Sequence, residues 1–330
     1  MKTVGVLIGT EDEPVSLKYY RDNKDSLMIL KEYEYSMKYI PYDAAIFAEI
    51  KKQAGKKIDV IPLFGDDLNL EECNLCDIIF CIYESVYSFM DGGYENYERY
   101  MKILKQTSAT VYPSPRMQDF IVQKHKYMKY LSKNNYTITP TSYINLDNIN
   151  IDRIISFIRN IKGEKFAIKP ELGSFKKGFK IFTRPTRETI QSYLQKMKQK
   201  GFQHLLLQEF IEEFNKFGEI KTYWINNKNI YSYKQQWIKG EGTFSDETTI
   251  DPDVLSECLE IGKSLLKDIE RDHEKLIHCR IDFACCLNNE KPCRDFFINE
   301  IEICPTIGED ESGGEAYKLL AKQVLSRLQN

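Results

Sequence analysis

One stretch of the chain decides how the rest is interpreted, and it reads Phe166-Ala-Ile-Lys169-Pro170-Glu-Leu-Gly173-Ser174-Phe-Lys176-Lys177-Gly178-Phe-Lys-Ile-Phe182. The apolar residues before Lys169 predict a β-strand that ends on a charged side chain. The glycine-bounded segment after it predicts a hairpin whose backbone N–H groups can cover a phosphate chain. A Walker motif is absent, because no glycine-lysine-serine or glycine-lysine-threonine step opens a helix here. The stretch therefore predicts either a phosphate-covering hairpin or an exposed basic turn.

Two further strand patterns, nearer the C-terminal end, carry acidic residues. In Arg280-Ile-Asp282-Phe and Asn299-Glu300-Ile-Glu302-Ile, polar and apolar residues alternate, so Arg280 and Asp282 share one strand face and Glu300 and Glu302 share another. Three clustered carboxylates repel one another unless a cation compensates them. Carboxylate oxygens suit Mg²⁺, which also binds substrate phosphates. The pattern predicts a Mg²⁺ site at Asp282, Glu300 and Glu302, with solvent-facing acids on two edge strands as the alternative.

The first third of the chain alternates short apolar runs with helical patterns. The runs lie at 4–8, 57–63, 77–83 and 109–112. Strands separated by helices predict a parallel sheet in a doubly wound, Rossmann-like domain. The G-x-G-x-x-G turn of a dinucleotide-binding domain is missing, which argues against hydride transfer. A mixed α+β region follows, with one helical stretch at 117–131, a hairpin that turns at 226–228 and a long helix from 252 to about 269.

Composition and charge exclude several classes of function. The chain has 330 residues, of which 42% are hydrophobic and 29% charged, so it is long enough for about two globular domains. Its 46 Lys and Arg against 49 Asp and Glu leave a formal charge of −3, which argues against nucleic acid and anionic membranes as partners. No apolar run approaches the ~20 residues of a membrane helix. Nine cysteines, an odd number, favour reduced thiols and a cytoplasmic location.

Taken in chain order, four motifs resemble those of the ATP-grasp superfamily. They are the Lys169-to-Gly178 loop, the segment Gln208-Glu209-Phe210-Ile211, the Arg280-x-Asp282 pair and the Glu300-x-Glu302 pair. The resemblance covers most of the chain, from Val4 to about Leu328. It implies an α/β and α+β architecture in which a Rossmann-like N-terminal domain at 1–115 is followed by two ATP-grasp lobes, a central one at 116–206 and a C-terminal one at 207–330.

The resemblance also implies roles for individual residues. Lys124 and Lys169 contact ATP phosphates, Ser174 and Lys176 belong to the phosphate cover, Gln208, Glu209, Phe210 and Ile211 hold adenine, and Glu219 holds the ribose. Asp282, Glu300 and Glu302 carry one or two Mg²⁺ ions, for which Mn²⁺ is the substitute. Arg280 and Lys169 stabilise charge on the transferred phosphoryl group, while Ser312 and Lys221 are candidates for binding substrate. Ligases of this superfamily commonly have asparagine where Glu302 stands, so this site carries one more negative charge.

The activity implied by the resemblance is carboxylate activation. An ADP-forming carboxylate-amine ligase phosphorylates a carboxylate with ATP and lets an amine displace the phosphate, with small molecules or peptides as substrates. The linker and final helix resemble those of ligases of the D-alanine and amino-acid-adding type. Two alternatives remain open at this point, an inositol-phosphate kinase on the same scaffold and a non-catalytic nucleotide-binding protein. The sequence leaves the oligomeric state open.

Overall fold

The computed structural model describes residues 2–9, 15, 17–33, 40–65, 67–82, 86–161, 163–172, 178–211, 217–238, 241–245, 249–288, 291–305 and 313–328. Within these ranges, three sheets of four, five and four strands form the framework. No helix in them has both the length and the apolar character needed to cross a bilayer.

The N-terminal part contains a four-stranded sheet in which every neighbouring pair is parallel. Its strands are β1 (Lys2–Ile8), β2 (Ile58–Phe64), β3 (Ile78–Cys81) and β4 (Thr110–Tyr112), in the order β2-β1-β3-β4. The helices of this part are α1 (Leu17–Asp22), α2 (Lys24–Leu27), α3 (Tyr42–Ala54), α4 (Leu70–Asn74) and α5 (Val86–Gln106), with a 3-10 helix at Met28–Tyr33. Leu7 packs into one hydrophobic cluster, while Val4, Val6 and Ile8 pack into another. Because helices cover both faces, these strands are nearly continuous apolar runs, and the predicted parallel sheet is confirmed.

The next part is built on an antiparallel sheet of order β5-β8-β6-β7. Its elements are α6 (Pro115–Val122), α7 (Lys124–Lys133), β5 (Thr141–Asn145), α8 (Ile151–Asn160), β6 (Lys165–Pro170), β7 (Lys180–Thr183), α9 (Arg187–Gln199) and β8 (His204–Glu209). Phe166 and Ile168 of β6 pack with Ile190 and Leu194 of α9. Since side chains alternate along a strand, Lys169 points away from this cluster.

The helical stretch predicted at 117–131 is confirmed, but a break at Gln123 divides it into α6 and α7. Gln123 separates α6 from α7 with a non-helical backbone, and its side chain donates to Asp119 Oδ1 at 2.6 Å and to Tyr97 Oη at 3.2 Å. The N–H of Lys124 turns to the Glu171 carbonyl oxygen at 3.5 Å instead of continuing the helix. A tertiary contact therefore starts a new helix at Lys124.

The last part contains a five-stranded antiparallel sheet of order β11-β10-β9-β12-β13. Its elements are β9 (Glu219–Ile225), β10 (Lys228–Ile238), β11 (Glu241–Ser245), α10 (Pro252–Asp272), β12 (His278–Asn288), β13 (Lys291–Ile303) and α11 (Gly313–Ser326). Asn226 and Asn227 have φ values of 52° and 61°, as a two-residue hairpin turn requires, so the predicted hairpin is confirmed. Trp224 and Ile281 pack with Leu265 of α10 on one face of the sheet, and Tyr223 packs with Tyr317 of α11 on the other.

Candidate functional site

The register of β9, β12 and β13 brings charged side chains together in two rows. Asp282 of β12 is paired with Lys221 of β9 on one side and with Glu300 of β13 on the other. Arg280 is paired in the same way with Tyr223 and Glu302. Directly opposed residues in an antiparallel sheet project from the same face. One carboxylate oxygen from each of Asp282, Glu300 and Glu302 therefore lies within 4.8 Å of the others, as the alternating patterns predicted.

A register shift in the same strand pair adds Asn299 to this site. Asp282 pairs with Glu300, but Phe283 pairs with Ile298, so Asn299 is the extra residue of a β-bulge. Its amide nitrogen donates to Glu219 Oε1 at 2.7 Å. Asn299 was not predicted as a site residue, because a bulge cannot be read from the alternation of a single strand.

Asp282 is compensated by two cations from neighbouring positions. Its carboxylate accepts from Arg280 Nε and from Lys221 Nζ, both at 2.6 Å, and only 1% of its side chain is exposed. Burial opposes ionisation of Asp282, but the charges of Arg280 and Lys221 outweigh it and lower the pKa of this carboxyl. The two cations therefore favour the ionised form of Asp282.

The two cations are themselves held by other carboxylates. Lys221 Nζ lies 3.1 Å from Glu219 Oε2, and Arg280 Nη2 lies 2.6 Å from Glu302 Oε1. Burial disfavours charge on Lys221, but Asp282 and Glu219 raise its pKa, and the pKa of Arg280 is likewise raised by Asp282 and Glu302. The structure thus places Lys221, a candidate for substrate binding, among the acids of the site. The additional charge of Glu302 is compensated by Arg280.

Two lysines predicted to bind phosphate, Lys124 and Lys169, belong to the part of the chain built on the sheet β5-β8-β6-β7. Lys124, the first residue of α7, contacts the Glu300 carboxylate directly. Lys169 ends β6, and burial together with the charge of Lys124 lowers its pKa to about 7, while Glu219 acts in the opposite direction. The contact of Lys124 with Glu300 thus brings one of the lysines predicted to bind phosphate to the acids predicted to bind a metal ion.

The segment predicted to hold adenine ends β8. Gln208 is buried, and its side chain donates to Thr141 Oγ1 at 2.9 Å. Glu209 Oε1 accepts from the Gly163 N–H at 2.9 Å, and the Phe210 N–H donates to the Lys165 carbonyl at 3.1 Å. The side chains of Gln208 and Glu209 thus hold neighbouring segments together. Phe210 and Ile211 are partly exposed at the end of the strand.

Three predicted residues lie outside the residues that the structure describes. They are Ser174 and Lys176 of the glycine-bounded loop and Ser312 before α11. Their predicted roles stay predictions.

The donor set of the three acids fits a hard divalent cation. Three carboxylates from two adjacent strands supply oxygen ligands, which Mg²⁺ and Mn²⁺ prefer to nitrogen or sulfur. Arg280, Lys221 and Lys124 hold the same oxygens in ion pairs and so keep the acids together. Cys73 and Cys76 are buried, and burial raises the pKa of the Cys76 thiol to about 11, which disfavours the thiolate needed for metal or redox chemistry.

The sequence matches no protein-family model and no curated protein sequence. Solved structures, in contrast, resemble the chain over almost its whole length. Comparison with D-cycloserine synthetase DcsG gives a TM-score of 0.70 at 12% sequence identity, and the match covers 99% of both chains. D-alanine–D-alanine ligase from Bacillus anthracis in complex with ATP has a TM-score of 0.60 at 13% identity, covering 99% of this chain and 97% of the other.

The ATP-grasp ligase PsnB, solved with a minimal precursor, has a TM-score of 0.56 at 10% identity, with 98% of this chain and 99% of the other covered. Identities this low support a shared fold and leave the reaction open. The motifs quoted from the sequence, the arrangement of the three sheets and these likenesses agree. The chain has the fold of the ATP-grasp superfamily.

Proposed function

We propose that this protein is an ATP-dependent ligase that activates a carboxylate as an acyl-phosphate and joins it to an amine. The observation that carries the proposal is the direct contact of Lys124 with Glu300, one of three acids whose carboxylate oxygens lie within 4.8 Å of one another. ATP with bound Mg²⁺ fits such a site, because its phosphate oxygens bind lysines and the Mg²⁺ binds carboxylates. The domain division at 1–115, 116–206 and 207–330 belongs to the same proposal.

In this assignment Lys124, Lys169, Ser174 and Lys176 bind the phosphates. Gln208, Glu209, Phe210 and Ile211 border the adenine, and Glu219 binds the ribose. Because the side chains of Gln208 and Glu209 are engaged within the protein, adenine would be recognised mainly by backbone groups near Phe210 and Ile211. Asp282, Glu300 and Glu302 would hold Mg²⁺, which when bound neutralises charge on the phosphate oxygens.

The chemistry needs alignment and charge compensation more than a protein nucleophile. A substrate carboxylate oxygen attacks the γ-phosphorus of ATP, the bond to the bridging oxygen breaks, and ADP leaves. An amine then attacks the acyl carbon, loses a proton, and inorganic phosphate leaves. Arg280 and Lys169 compensate charge on the transferred phosphoryl oxygens, and the ion pairs of Arg280 with Asp282 and Glu302 keep its guanidinium in position.

The structural neighbours support an amino-acid or peptide substrate. These neighbours are a D-cycloserine synthetase, a D-alanine–D-alanine ligase bound to ATP and a ligase complexed with a minimal precursor. We therefore propose an amino acid or peptide as the carboxylate or amine partner of this chain.

The inositol-phosphate kinase is less well supported by the described residues. That activity needs several free cations around the acceptor. Lys221 is already neutralised by Asp282 and Glu219, and Lys180 lies over the rings of Phe182 and Tyr193. Other lysines that could contact such an acceptor lie outside the described residues, namely Lys176, Lys177 and Lys239.

The test is a screen for ADP release with Mg²⁺ and ATP. Pools of amino acids, short peptides and inositol phosphates are compared, and hydroxylamine is added to trap an acyl-phosphate as a hydroxamate. Hydroxamate formation supports the ligase. A phosphorylated inositol without hydroxamate would contradict it and support the kinase.

Nucleotide binding is tested separately by thermal unfolding. Mg²⁺-ATP should raise the midpoint, since a ligand that binds only the folded state stabilises it. Lys169→Met should remove most of that shift, whereas Lys263→Met, at an exposed position of α10, should leave it unchanged. No shift in the unmodified protein, at saturating Mg²⁺-ATP and with no ADP release, would argue for a protein that does not use ATP.

A further inference from the structure

Glu171 stands two residues after Lys169 and is completely buried. Its carboxyl group lies between two histidines from different elements. Glu171 Oε1 is 2.8 Å from Nδ1 of His204 in β8, and Oε2 contacts Nδ1 of His125 in α7. The two imidazole rings are stacked with their centroids 5.1 Å apart. Neither the nucleotide assignment nor the metal assignment uses this cluster.

The backbone of Glu171 joins the same segments. Its N–H donates to the His204 carbonyl oxygen at 3.3 Å, and its carbonyl oxygen accepts from the Lys124 N–H at 3.5 Å. Four polar contacts thus connect the end of β6 with the start of α7 and the start of β8. Two of the residues held in this way, Lys124 and Lys169, are the lysines assigned to the phosphates. Pro170, whose ring limits backbone rotation, is the only residue between Lys169 and Glu171.

We propose that Glu171 is a positioning residue, which joins His125 to His204 and thereby fixes the spacing of Lys124 and Lys169 around one triphosphate. This inference rests on the proposed function, because the spacing matters only if both lysines bind the same nucleotide. Glu171 itself touches neither the nucleotide nor the reacting atoms in this assignment.

The protonation of the cluster explains why two histidines accompany one acid. Burial raises the pKa of Glu171 to about 8 and lowers the pKa of His125 to about 4. Near neutral pH a protonated Glu171 and two neutral histidines leave no net charge buried in the cluster. Glu171 Oε1 shares a hydrogen bond with His204 Nδ1, whereas Oε2 contacts His125 Nδ1 outside hydrogen-bond geometry.

Other charged and polar groups surround the two histidines. Lys126 and Lys129 of α7 lower the pKa of both rings, whereas Asp119 acts in the opposite direction on His125 and Asp147 on His204. From α5, Tyr94 Oη lies 3.4 Å from His204 Nδ1. The two lysines disfavour protonation of the imidazoles, so the surroundings support the neutral arrangement.

Glutamine reproduces the neutral acid in shape and in hydrogen bonding, because its amide has one donor group and one acceptor group at the same places. Leucine fills a similar volume but pairs with neither histidine. Glu171→Gln and Glu171→Leu therefore separate the hydrogen bonds from the packing. Leu194→Ala serves as the matched control, since Leu194 is fully buried in the same part of the chain but belongs to α9 and packs in the cluster of Phe166 and Ile168.

The experiment measures the Kd of Mg²⁺-ATP, together with kcat and KM once a substrate is found, on the full chain. Glu171→Leu should raise the Kd and the KM for ATP on the order of tenfold to a hundredfold and leave the KM of the carboxylate substrate within about twofold, because small displacements of positioning groups are costly. Glu171→Gln should stay within about threefold of the unmodified protein. Leu194→Ala should lower the thermal midpoint without raising the Kd.

The outcomes separate this inference from the proposed function. If the unmodified protein binds Mg²⁺-ATP, and Glu171→Leu binds it as Leu194→Ala does, the positioning role is overturned and the ligase proposal stands. If Glu171→Leu fails to fold, His125→Ala and His204→Ala each remove one contact and should raise the Kd in the same direction. Unchanged Kd values in both would overturn the role. If the unmodified protein does not bind Mg²⁺-ATP, both proposals fall.

Discussion

Lys221 Nζ lies 2.6 Å from Asp282 Oδ2, directly across β9 and β12, with 9% and 1% of the two side chains exposed. Their strands are separated by more than fifty residues of sequence, which include α10. The same carboxylate is held by Arg280, whose guanidinium also lies 5.9 Å from the ring centre of Tyr223. Because the metal assignment depends on Asp282, this ion pair links the stability of the sheet to the proposed chemistry.

Replacing Lys221 with methionine should destabilise the protein strongly. The variant keeps most of the side-chain volume but removes one of the two cations that compensate a buried carboxylate. Breaking a buried ion pair on one side costs about 3–5 kcal/mol of the free energy of unfolding. Urea denaturation measures the loss. Lys263→Met on the exposed surface of α10 is the control and should change stability by less than about 0.5 kcal/mol. Equal stabilities of the two variants would contradict the pairing.

Glu300→Gln should reduce turnover much more than nucleotide binding. The amide keeps an oxygen but loses the charge that a metal ion requires as the phosphoryl group moves. We expect kcat to fall by about 10²-fold or more at saturating Mg²⁺-ATP, with less than a tenfold rise in the Kd. Weaker binding of Mn²⁺, followed by its electron paramagnetic resonance signal, is the second measurement. Glu260→Gln, exposed on α10, should match the unmodified protein, and normal turnover in Glu300→Gln would remove this residue from the metal site.

Binding of Mg²⁺-ATP should be accompanied by proton uptake at Lys169. The pKa of the free enzyme's Lys169 is lowered to about 7, mainly by burial, so this amine is largely neutral at pH 8. A bound triphosphate favours the charged form and raises the pKa, so the complex takes up a proton at pH 8. At pH 6 Lys169 is already charged before binding, and this contribution disappears.

Calorimetry in two buffers of different ionisation enthalpy measures that uptake. At Mg²⁺-ATP concentrations that saturate both proteins, the difference between the unmodified protein and Lys169→Met isolates Lys169, because protonation of ATP itself is common to both. The difference should approach one proton per nucleotide at pH 8 and become small at pH 6. An equal uptake in both proteins at pH 8 would show that Lys169 does not meet the phosphates.

Gly262→Ala should destabilise the protein although alanine favours helices. A Cβ atom at position 262 would lie 2.6 Å from Cζ2 of Trp224, so α10 or the indole ring must move. The gain of about 1 kcal/mol in helix propensity is opposed by a typical overpacking cost of about 1–3 kcal/mol. Trp224 Nε1 donates to Thr222 Oγ1, and Thr222 donates to the Ile281 carbonyl beside Asp282. The displacement should therefore reach the site.

Thermal unfolding measures the effect, with Lys263→Ala as the control on the exposed side of the same helix. We expect a lower midpoint for Gly262→Ala and an unchanged or slightly higher one for Lys263→Ala. A higher midpoint for Gly262→Ala would mean that α10 packs on Trp224 of β9 less closely than the 2.6 Å approach implies.

Much of the fold follows from local patterns. The parallel strands β1 to β4, the hairpin at Asn226 and Asn227 and the paired strands β12 and β13 were all predicted, because side-chain alternation and turn preference act over a few residues. The break between α6 and α7 was not predicted, because it depends on contacts of Gln123 and Lys124 with distant residues. The domain boundaries stay predictions.

The same distinction holds for the candidate site, where some residues could be predicted from the sequence and others could not. The acids at 282, 300 and 302 and Lys169 were predicted as site residues from residue type and spacing, whereas Lys124 was predicted only from the resemblance to the ATP-grasp superfamily. Lys221 was considered for substrate binding, but the structure shows it buried between Asp282 and Glu219. Two features of the site region gave no recognisable signal in the sequence. Asn299 lies at a β-bulge, and the cluster of His125, Glu171 and His204 joins residues that are far apart in the chain and share no motif.

By itself, the sequence determined the kinds of element, the strand faces that carry charge and the residue types available for phosphate and metal. These properties depend on periods of 2 and 3.6 residues along one segment, so they exist before the chain folds. The folded arrangement sets which acid meets which cation and which pKa values change. Those outcomes depend on strand register, on a β-bulge and on the exclusion of water, and all three arise only when distant segments pack together.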